Sequence, residues 1–161
     1  NAGIQQRIQL KEKPSWETLG KELAINLEAP IHLSTLFIPH LLQQKWSAII
    51  NVTSGLAFVP LAHVPVYCAT KAALHSFTLS MRHQLIGTPI TVIEIIPPAV
   101  DTDLGGKGLH TFGAPVDKFT DAVVEQLKKG SIEATFGFAA ESSRASREQL
   151  EEIFKQINPP M

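Results

Sequence analysis

Two short runs of β-branched and apolar residues constrain the fold of this chain more than any other feature. Residues 47–53 read SAIINVT and residues 90–96 read ITVIEII, and both are almost continuously apolar. Strands of this kind are typical of a parallel sheet that is covered on both faces, whereas half-exposed strands alternate apolar and polar residues. The segment between the two runs is long enough for a crossover helix. The sequence therefore predicts an α/β fold built on a parallel sheet.

Helical periodicity predicts the elements that connect and cover these strands. We expect helices over residues 15–44, 66–86 and 116–129, and a last helix that starts near residue 146. Ser15 is the expected cap of the first helix, and Ser146 and Gln149 are expected to form a capping box at the last one. Gly87 and Gly130 follow two of these segments, where glycine commonly ends a helix in the left-handed conformation. The alternation of residues 132–138 predicts a third strand. Because such connections are right-handed, we expect a Rossmann-like, doubly wound sheet with helices on both faces.

Length and charge limit the domain count and the classes of partner. The 161 residues predict one domain, residues 1–161, and the 14 basic and 15 acidic residues form no block that would bind nucleic acid or a membrane. No apolar run reaches the roughly 20 residues that span a bilayer. The single cysteine, Cys68, cannot form an intrachain disulfide, which is typical of a reducing compartment. We expect a cytoplasmic protein with a small-molecule partner.

A hydroxyl, a phenol and an amine are grouped between residues 54 and 71. Ser54 directly follows the first apolar run, and Tyr67 and Lys71 are four residues apart, so they share one helix face. Free tyrosine titrates near pH ~10, and both a neighbouring ammonium and the first turn of a helix would lower that pKa. Such a set could move a proton to or from a substrate oxygen. It suits the interconversion of a carbonyl and an alcohol.

Each of these residues also has an ordinary structural explanation when it is taken singly. A tyrosine and a lysine four residues apart often only cover an amphipathic helix, and a serine after a strand is commonly a turn residue. Asn26 adds a fourth polar group, because Pro30 has no N–H to donate to the Asn26 carbonyl. That carbonyl must find another partner. The combination, and no single member, indicates a site.

The motifs and their spacing resemble the classical short-chain dehydrogenases/reductases over nearly the whole chain. The end of the family's N-N-A-G motif is matched by Asn1, Ala2 and Gly3. The family's catalytic set is matched in order and spacing by Asn26, Ser54, Tyr67 and Lys71. More narrowly, the segments SGLAFVP, PVYCATKAALHSF and IIPPAVDTDL are similar to the DltE-type branch of these oxidoreductases.

The resemblance implies a role for each member of the catalytic set. Tyr67 would be the acid/base, and Ser54 would orient and polarise the substrate oxygen. Lys71 would lower the pKa of the tyrosine and hold the nicotinamide ribose. Asn26 would anchor a water of the proton relay through its carbonyl, the group that Pro30 leaves without a helical partner.

The resemblance also implies NAD or NADP as the cofactor. Residues expected to contact it are Asn1, Ala2, Gly3, Tyr67, Lys71, Pro97, Pro98, Val100 and Thr102. Thr102 is similar to the threonine that touches the nicotinamide amide in the family. Pro98 stands in the place of a family glycine, and we expect its ring and its fixed φ to shape the nicotinamide pocket.

The family's glycine-rich phosphate loop has no counterpart in this sequence. Residues 105–108, GGKG, follow Pro-Pro instead of joining a strand to a helix, so we interpret them as part of a flexible substrate loop. The chain therefore resembles the C-terminal two-thirds of the family fold, without the first nucleotide-binding strands.

The leading hypothesis is an NAD(P)-dependent oxidoreductase, and two alternatives stay open. A dinucleotide-binding or scaffolding protein would keep the same residues without turnover, and a fragment would carry a sheet edge that needs another segment.

The six histidines form no compact tetrahedral set with cysteine or carboxylates, so no metal site is predicted. We expect a homodimer or homotetramer through the helices at 15–44 and 66–86. A moderately apolar substrate is suggested by the loop residues Leu56, Phe58, Val59, Leu104 and Leu109.

Overall fold

The computed structural model describes residues 2–160, and its centre is a sheet of three parallel strands. The strands are β1 (Ser47–Val52), β2 (Ile90–Ile96) and β3 (Glu133–Thr135), and they lie in this order across the sheet. In the register, Ser47 pairs with Ile90 and Glu94 pairs with Glu133. The two apolar runs are therefore adjacent parallel strands, which confirms the predicted fold class.

Helices join and cover the strands. They are α1 (Trp16–Leu23), α2 (Ala29–Leu41), α3 (Pro65–Gln84), α4 (Val116–Lys128), α5 (Phe138–Ser142) and α6 (Arg147–Ile157). α2 packs against β1, α3 against β2 and α4 against β3. The predicted caps are confirmed at Ser15, at Gly87 and Gly130, and in the Ser146–Gln149 capping box. Among the described residues, no helix is both long and apolar enough to cross a membrane.

The predicted helix over residues 15–44 is a continuous helical run with a wide turn at its centre. Between α1 and α2, residues Ala24–Glu28 form a π-helical turn in which the Ala29 N–H donates to the Ala24 carbonyl. Pro30 follows at the start of α2, where it cannot donate to the carbonyl four residues earlier. The wider turn accommodates the proline, and π turns of this kind are frequent at functional sites. This turn contains Asn26.

The third strand is shorter than its sequence pattern predicts. We expect a strand over residues 132–138, but β3 ends at Thr135, and Phe138 already belongs to α5. Thr135 pairs with Ile96, the last residue of β2, and Pro97 next to it cannot donate to a ladder. Gly137 then turns the chain with φ +53°. The prediction is wrong for residues 136–138 because the neighbouring strand ends first.

Two apolar clusters hold the layers together. One lies under the sheet and contains Met81 of α3 with Ile90 and Val92 of β2, packed against side chains of α2 and β1. The other contains Val64, Tyr67 and Cys68 near the start of α3, covered by Leu56, Leu61 and Leu104 from two loops. The second cluster lies where parallel α/β sheets commonly bind ligands, beyond the carboxyl ends of the strands.

A side chain near the end of the described chain fastens the loop that precedes α3. Asn158 follows α6, and its Oδ1 accepts a hydrogen bond from the Ala62 N–H at 2.6 Å. Its Nδ2 donates to the carbonyls of Pro60 at 3.0 Å and Phe154 at 2.9 Å. We call this contact the Asn158 latch. It ties α6 to the loop between Ser54 and Tyr67.

Candidate active site

Ser54 lies at the carboxyl end of β1 in a tightly bonded piece of backbone. The Thr53 N–H donates to the Ile95 carbonyl and the Gly55 N–H to the Pro97 carbonyl, both at 2.9 Å. The Ser54 side chain accepts a hydrogen bond from the Leu56 N–H at 3.1 Å. These bonds fix the serine on both sides against the end of β2.

Tyr67 lies in the first turn of α3 because Pro65 begins that helix. Its side chain is 6% exposed and belongs to the second apolar cluster. Burial raises the pKa of Tyr67 to about 12, although hydrogen bonding with the Ser54 side chain lowers it in part. The Ser54 side chain thus acts on the phenol, and the raised pKa keeps the phenol protonated at neutral pH.

Lys71 connects α3 to the end of β1. Its Nζ donates to the Val52 carbonyl at 2.8 Å and lies 5.5 Å from the centre of the Tyr67 ring. The side chain is 8% exposed, and burial lowers the pKa of Lys71 to about 8. The expectation that Lys71 and the helix start lower the pKa of Tyr67 is wrong for the chain described here. Burial outweighs the lowering of that pKa by the Ser54 hydrogen bond, and the Lys71 ammonium donates to the Val52 carbonyl.

Asn26 joins the segment at the start of the chain to α3. Its Oδ1 accepts from the Ile4 N–H at 2.9 Å and its Nδ2 donates to the Ile4 carbonyl at 2.7 Å. The same Nδ2 lies 3.4 Å from Thr70 Oγ1, whose hydroxyl donates to the Tyr67 carbonyl at 2.7 Å. The sequence prediction concerned the carbonyl of Asn26. Its side chain has a second role, since it clamps the Ile4 backbone beside the helix that carries Tyr67.

Part of the predicted cofactor set lines one open groove. Ala2, Asn26 and Lys71 line a groove of about 460 Å³ between α2 and the free side of β1. Gly3 is close to the same place, because a Cβ on it would lie 3.7 Å from the Asn26 Oδ1. Asn1 lies outside the described residues.

The other predicted cofactor contacts lie beyond the end of β2. Pro97 is joined to the Ser54 region through its carbonyl. Pro98, Val100 and Thr102 belong to the loop that follows, where Val100 forms an isolated bridge with Ala114 and Thr102 is exposed. The same loop returns to the site at Leu104, which packs against the Tyr67 cluster.

Two buried carboxylates, neither of them predicted from the sequence as a site residue, are part of this region. Glu22 of α1 accepts from the Gln6 N–H through Oε1 at 3.2 Å, while its buried Oε2 has no partner among the described residues. Burial raises the pKa of Glu22, and its charge contributes to the raised pKa of Tyr67. Glu94 of β2 is fully buried. A sequence signal exists for Glu94, since it is the one charged residue in the run ITVIEII.

The fold and the site agree with a comparison against protein families. The family model described as short chain dehydrogenase matches residues 1–111 of the chain. The chain belongs to the short-chain dehydrogenase family, which confirms the resemblance carried by its motifs.

Curated relatives place the chain within the family. It is 47% identical over 165 residues to the uncharacterized oxidoreductase DltE of Bacillus subtilis, a match that covers 98% of the chain and 65% of that protein. It is 33% identical over 139 residues to a D-beta-hydroxybutyrate dehydrogenase of Cupriavidus necator, covering 82% of the chain and 53% of that protein. The chain thus spans less than two thirds of the length of these relatives.

Solved structures have the same fold. A short chain dehydrogenase of Burkholderia cenocepacia in complex with NADP has a TM-score of 0.84 and 26% identity, covering 98% of the chain and 68% of that structure. A short-chain dehydrogenase of Sphingobium yanoikuyae in complex with NADPH has a TM-score of 0.77 and 22% identity, covering 97% and 61%. The Rossmann-like fold class predicted from the sequence is therefore confirmed.

Proposed function

We propose that this chain carries the proton-transfer half of an NAD(P)-dependent oxidoreductase that interconverts a carbonyl and an alcohol. The observation that carries the proposal is the convergence of Ser54, Tyr67 and Lys71 at the carboxyl ends of β1 and β2. Ligands of α/β sheets commonly bind at these ends. The family to which the chain belongs supports the same class of reaction.

The proton moves through the phenol in this proposal. Ser54 would donate a hydrogen bond to the substrate oxygen, and the Tyr67 hydroxyl would deliver its proton to that oxygen as the C–O double bond becomes single. A pKa of about 12 keeps Tyr67 protonated at neutral pH, which favours the carbonyl-reducing direction. Alcohol oxidation needs the opposite protonation state, so it is expected to require a higher pH.

The cofactor would supply or accept the hydride when it is bound. Among residues 2–160, Tyr67 and Lys71 offer a phenol and an ammonium suited to a ribose hydroxyl, beside the groove lined by Ala2 and Asn26. The described part of the chain contains no glycine-rich turn from a strand into a helix that would receive a pyrophosphate. The residues present fit the nicotinamide end of NAD or NADP. Binding of the rest of the cofactor requires groups that residues 2–160 do not provide.

The substrate is expected to be a moderately apolar small molecule. Leu56 and Leu104 pack around Tyr67, so apolar side chains border the phenol from two loops. Leu109 is 47% exposed on the loop after β2 and is available for contact.

A homo-oligomer remains part of the proposal, because α2 exposes Leu36 and Phe37. The lone buried Cys68 keeps the cytoplasm as the proposed compartment.

A binding protein without turnover is the second candidate function. The raised pKa of Tyr67 supports it for alcohol oxidation only, because a phenol that burial keeps protonated is a poor base. NAD(P)H binding without oxidation across a broad panel of carbonyl compounds would support this candidate.

Tyr67→Phe in the full-length protein tests the leading proposal. We expect kcat with an identified ketone or aldehyde to fall by about 10²-fold to 10⁴-fold, while NAD(P)H still binds with the loss of one ribose contact. NAD(P)H absorbance reports turnover, and NAD(P)H fluorescence reports binding. His83→Gln, at an exposed position of α3, is the control and should keep normal turnover. Normal turnover in Tyr67→Phe would contradict the proposed mechanism.

A further inference from the structure

A fully buried carboxylate lies within the sheet, directly beneath the end of β1. Glu94 accepts a hydrogen bond from Thr53 Oγ1 through Oε1 at 2.6 Å. The Nδ1 of His75 lies 2.9 Å from Oε1 and 3.0 Å from Oε2 of the same carboxylate. An unpaired carboxylate in the core would be strongly destabilising. These two partners therefore account for how Glu94 is tolerated inside β2.

The first partner leads directly to Ser54. Thr53 precedes Ser54 in the chain, and its backbone N–H is bonded to the Ile95 carbonyl of β2. Thr53 is thus held to β2 twice, by its backbone and by its hydroxyl on Glu94. The direction in which the chain leaves β1 at Ser54 depends on this double hold.

The second partner leads to the helix of Tyr67 and Lys71. His75 lies one turn after Lys71 and two turns after Tyr67, so the three share one face of α3. The Phe58 ring, from the loop after Ser54, packs edge-on against the imidazole with centroids 4.7 Å apart. One carboxylate therefore connects the strand end that carries Ser54 to the helix that carries Tyr67.

We propose that Glu94 is a positioning residue that sets Ser54 against Tyr67 through Thr53 and His75, and that this hold depends on a proton at His75. The proposal rests on the oxidoreductase function proposed above. A carboxylate bonded to a hydroxyl and an imidazolium makes charge-assisted hydrogen bonds on both sides, which are stronger and more directional than neutral ones. Removal of either partner leaves buried carboxylate oxygens without a donor.

The proton at His75 is exchangeable and responds to pH. The His75 side chain is 23% exposed, and the hydrogen bond with Glu94 raises the pKa of His75 while burial opposes it. The charge of Glu133 raises this pKa further and Arg82 lowers it, and those two side chains form an ion pair at 2.8 Å. Because the pKa is raised in the folded protein, the hold is complete below the ordinary value of ~6.5. It weakens as pH rises through the folded-state pKa.

Titration of His75 tests the network without any turnover. We expect the imidazole NMR signals of His75 to titrate above pH ~6.5 in the unmodified protein, and at a lower pH in Glu94→Gln. Glu125→Gln, an exposed carboxylate of α4, is the control and should leave the titration unchanged. A His75 pKa at or below the ordinary value in the unmodified protein would overturn the network.

Kinetics of a matched pair at Thr53 test the positioning role in the full-length protein. Thr53→Val removes the donor with little change of shape, and Thr53→Ser keeps it. We expect kcat to fall by roughly 10-fold to 100-fold in Thr53→Val and Glu94→Gln, with KM for the cofactor nearly unchanged. Thr53→Ser should keep most of the activity. In the unmodified protein we expect kcat to fall as pH rises through the pKa of His75. This fall should be absent in Glu94→Gln.

The outcomes separate this inference from the proposed function. Normal kcat in Thr53→Val contradicts the positioning role, and this variant decides the question even if Glu94→Gln does not fold. Loss of activity in Thr53→Ser as severe as in Thr53→Val would also contradict it. If Tyr67→Phe keeps normal turnover, the oxidoreductase mechanism fails, while the His75 titration still reports whether the network exists.

Discussion

Substitution of Lys71 by methionine is expected to remove a pH-dependent cost in stability. Lys71 is 8% exposed, and burial lowers its pKa to about 8 from an ordinary 10.5. A lowered pKa means that the folded state holds the proton less tightly than the unfolded state. The destabilisation is therefore present in full below pH 8 and is relieved as pH rises toward the ordinary value.

The magnitude follows from the difference between the two pKa values. At ~1.4 kcal/mol for each pKa unit, the buried ammonium costs roughly 3 kcal/mol at pH 7. Between pH 7 and pH 10 most of that cost disappears. The variant also loses the hydrogen bond to the Val52 carbonyl, a pH-independent loss of about 1.5 to 3 kcal/mol. The decisive quantity is the change with pH, which should be about 2 kcal/mol.

Urea unfolding of both proteins at pH 7, 8, 9 and 10 measures this change. The free energy of unfolding of the unmodified protein minus that of Lys71→Met should rise across the series. The subtraction cancels contributions from His75, Cys68 and Tyr67, whose pKa values are raised and whose stabilisation falls as pH rises. Lys118→Met, at an exposed position of α4, should give a flat difference. A flat difference for Lys71→Met as well would refute the argument from burial.

Three further predictions concern other parts of the chain. Glu22→Gln should raise the free energy of unfolding at pH 7, because burial raises the pKa of Glu22 and disfavours its charged form, a cost that is present above the folded-state pKa. Glu17→Gln on the exposed side of α1 should change little in the same urea titration. Asn26→Ala should cost about 2 to 3 kcal/mol and speed hydrogen exchange at the Ile4 amide, since it removes both bonds to Ile4. Gly113→Ala should lower the melting temperature at a cost of about 1 to 3 kcal/mol, because its Cβ would lie 2.8 Å from the backbone of Val100. An unchanged melting temperature would contradict that close approach.

Local patterns account for the parts of the fold that could be predicted. The two apolar runs are adjacent parallel strands, as their nearly continuous apolar composition predicts, although Ile50 of β1 is 48% exposed. Helix ends could also be predicted, because they depend on residues within one turn. Gly87 and Gly130 adopt positive φ after their helices, and Ser146 forms the capping box of α6 with Gln149. The spacing of Tyr67 and Lys71 placed both on one face of α3. These features depend on neighbours in sequence.

The remaining features depend on residues that are distant in sequence. The Asn26 side chain bonds to Ile4, and Glu94 to Thr53 and His75, so their partners appear only after the chain has folded. The direction of the pKa shift at Tyr67 is another case. Helix spacing shows a cation nearby, whereas the cost of burial depends on Leu56 and Leu104 closing over the ring.

The Asn158 latch bears on the order in which a growing polypeptide completes this region. Ser54 and Tyr67 are synthesised well before Asn158, because synthesis runs from the N-terminus. Contacts between segments far apart in sequence form late, because a long loop must close first. The loop from Pro60 to Ala62 thus lacks its side-chain anchor until α6 docks. Docking of α6 therefore adds the anchor of a loop whose Leu61 packs against the Tyr67 cluster.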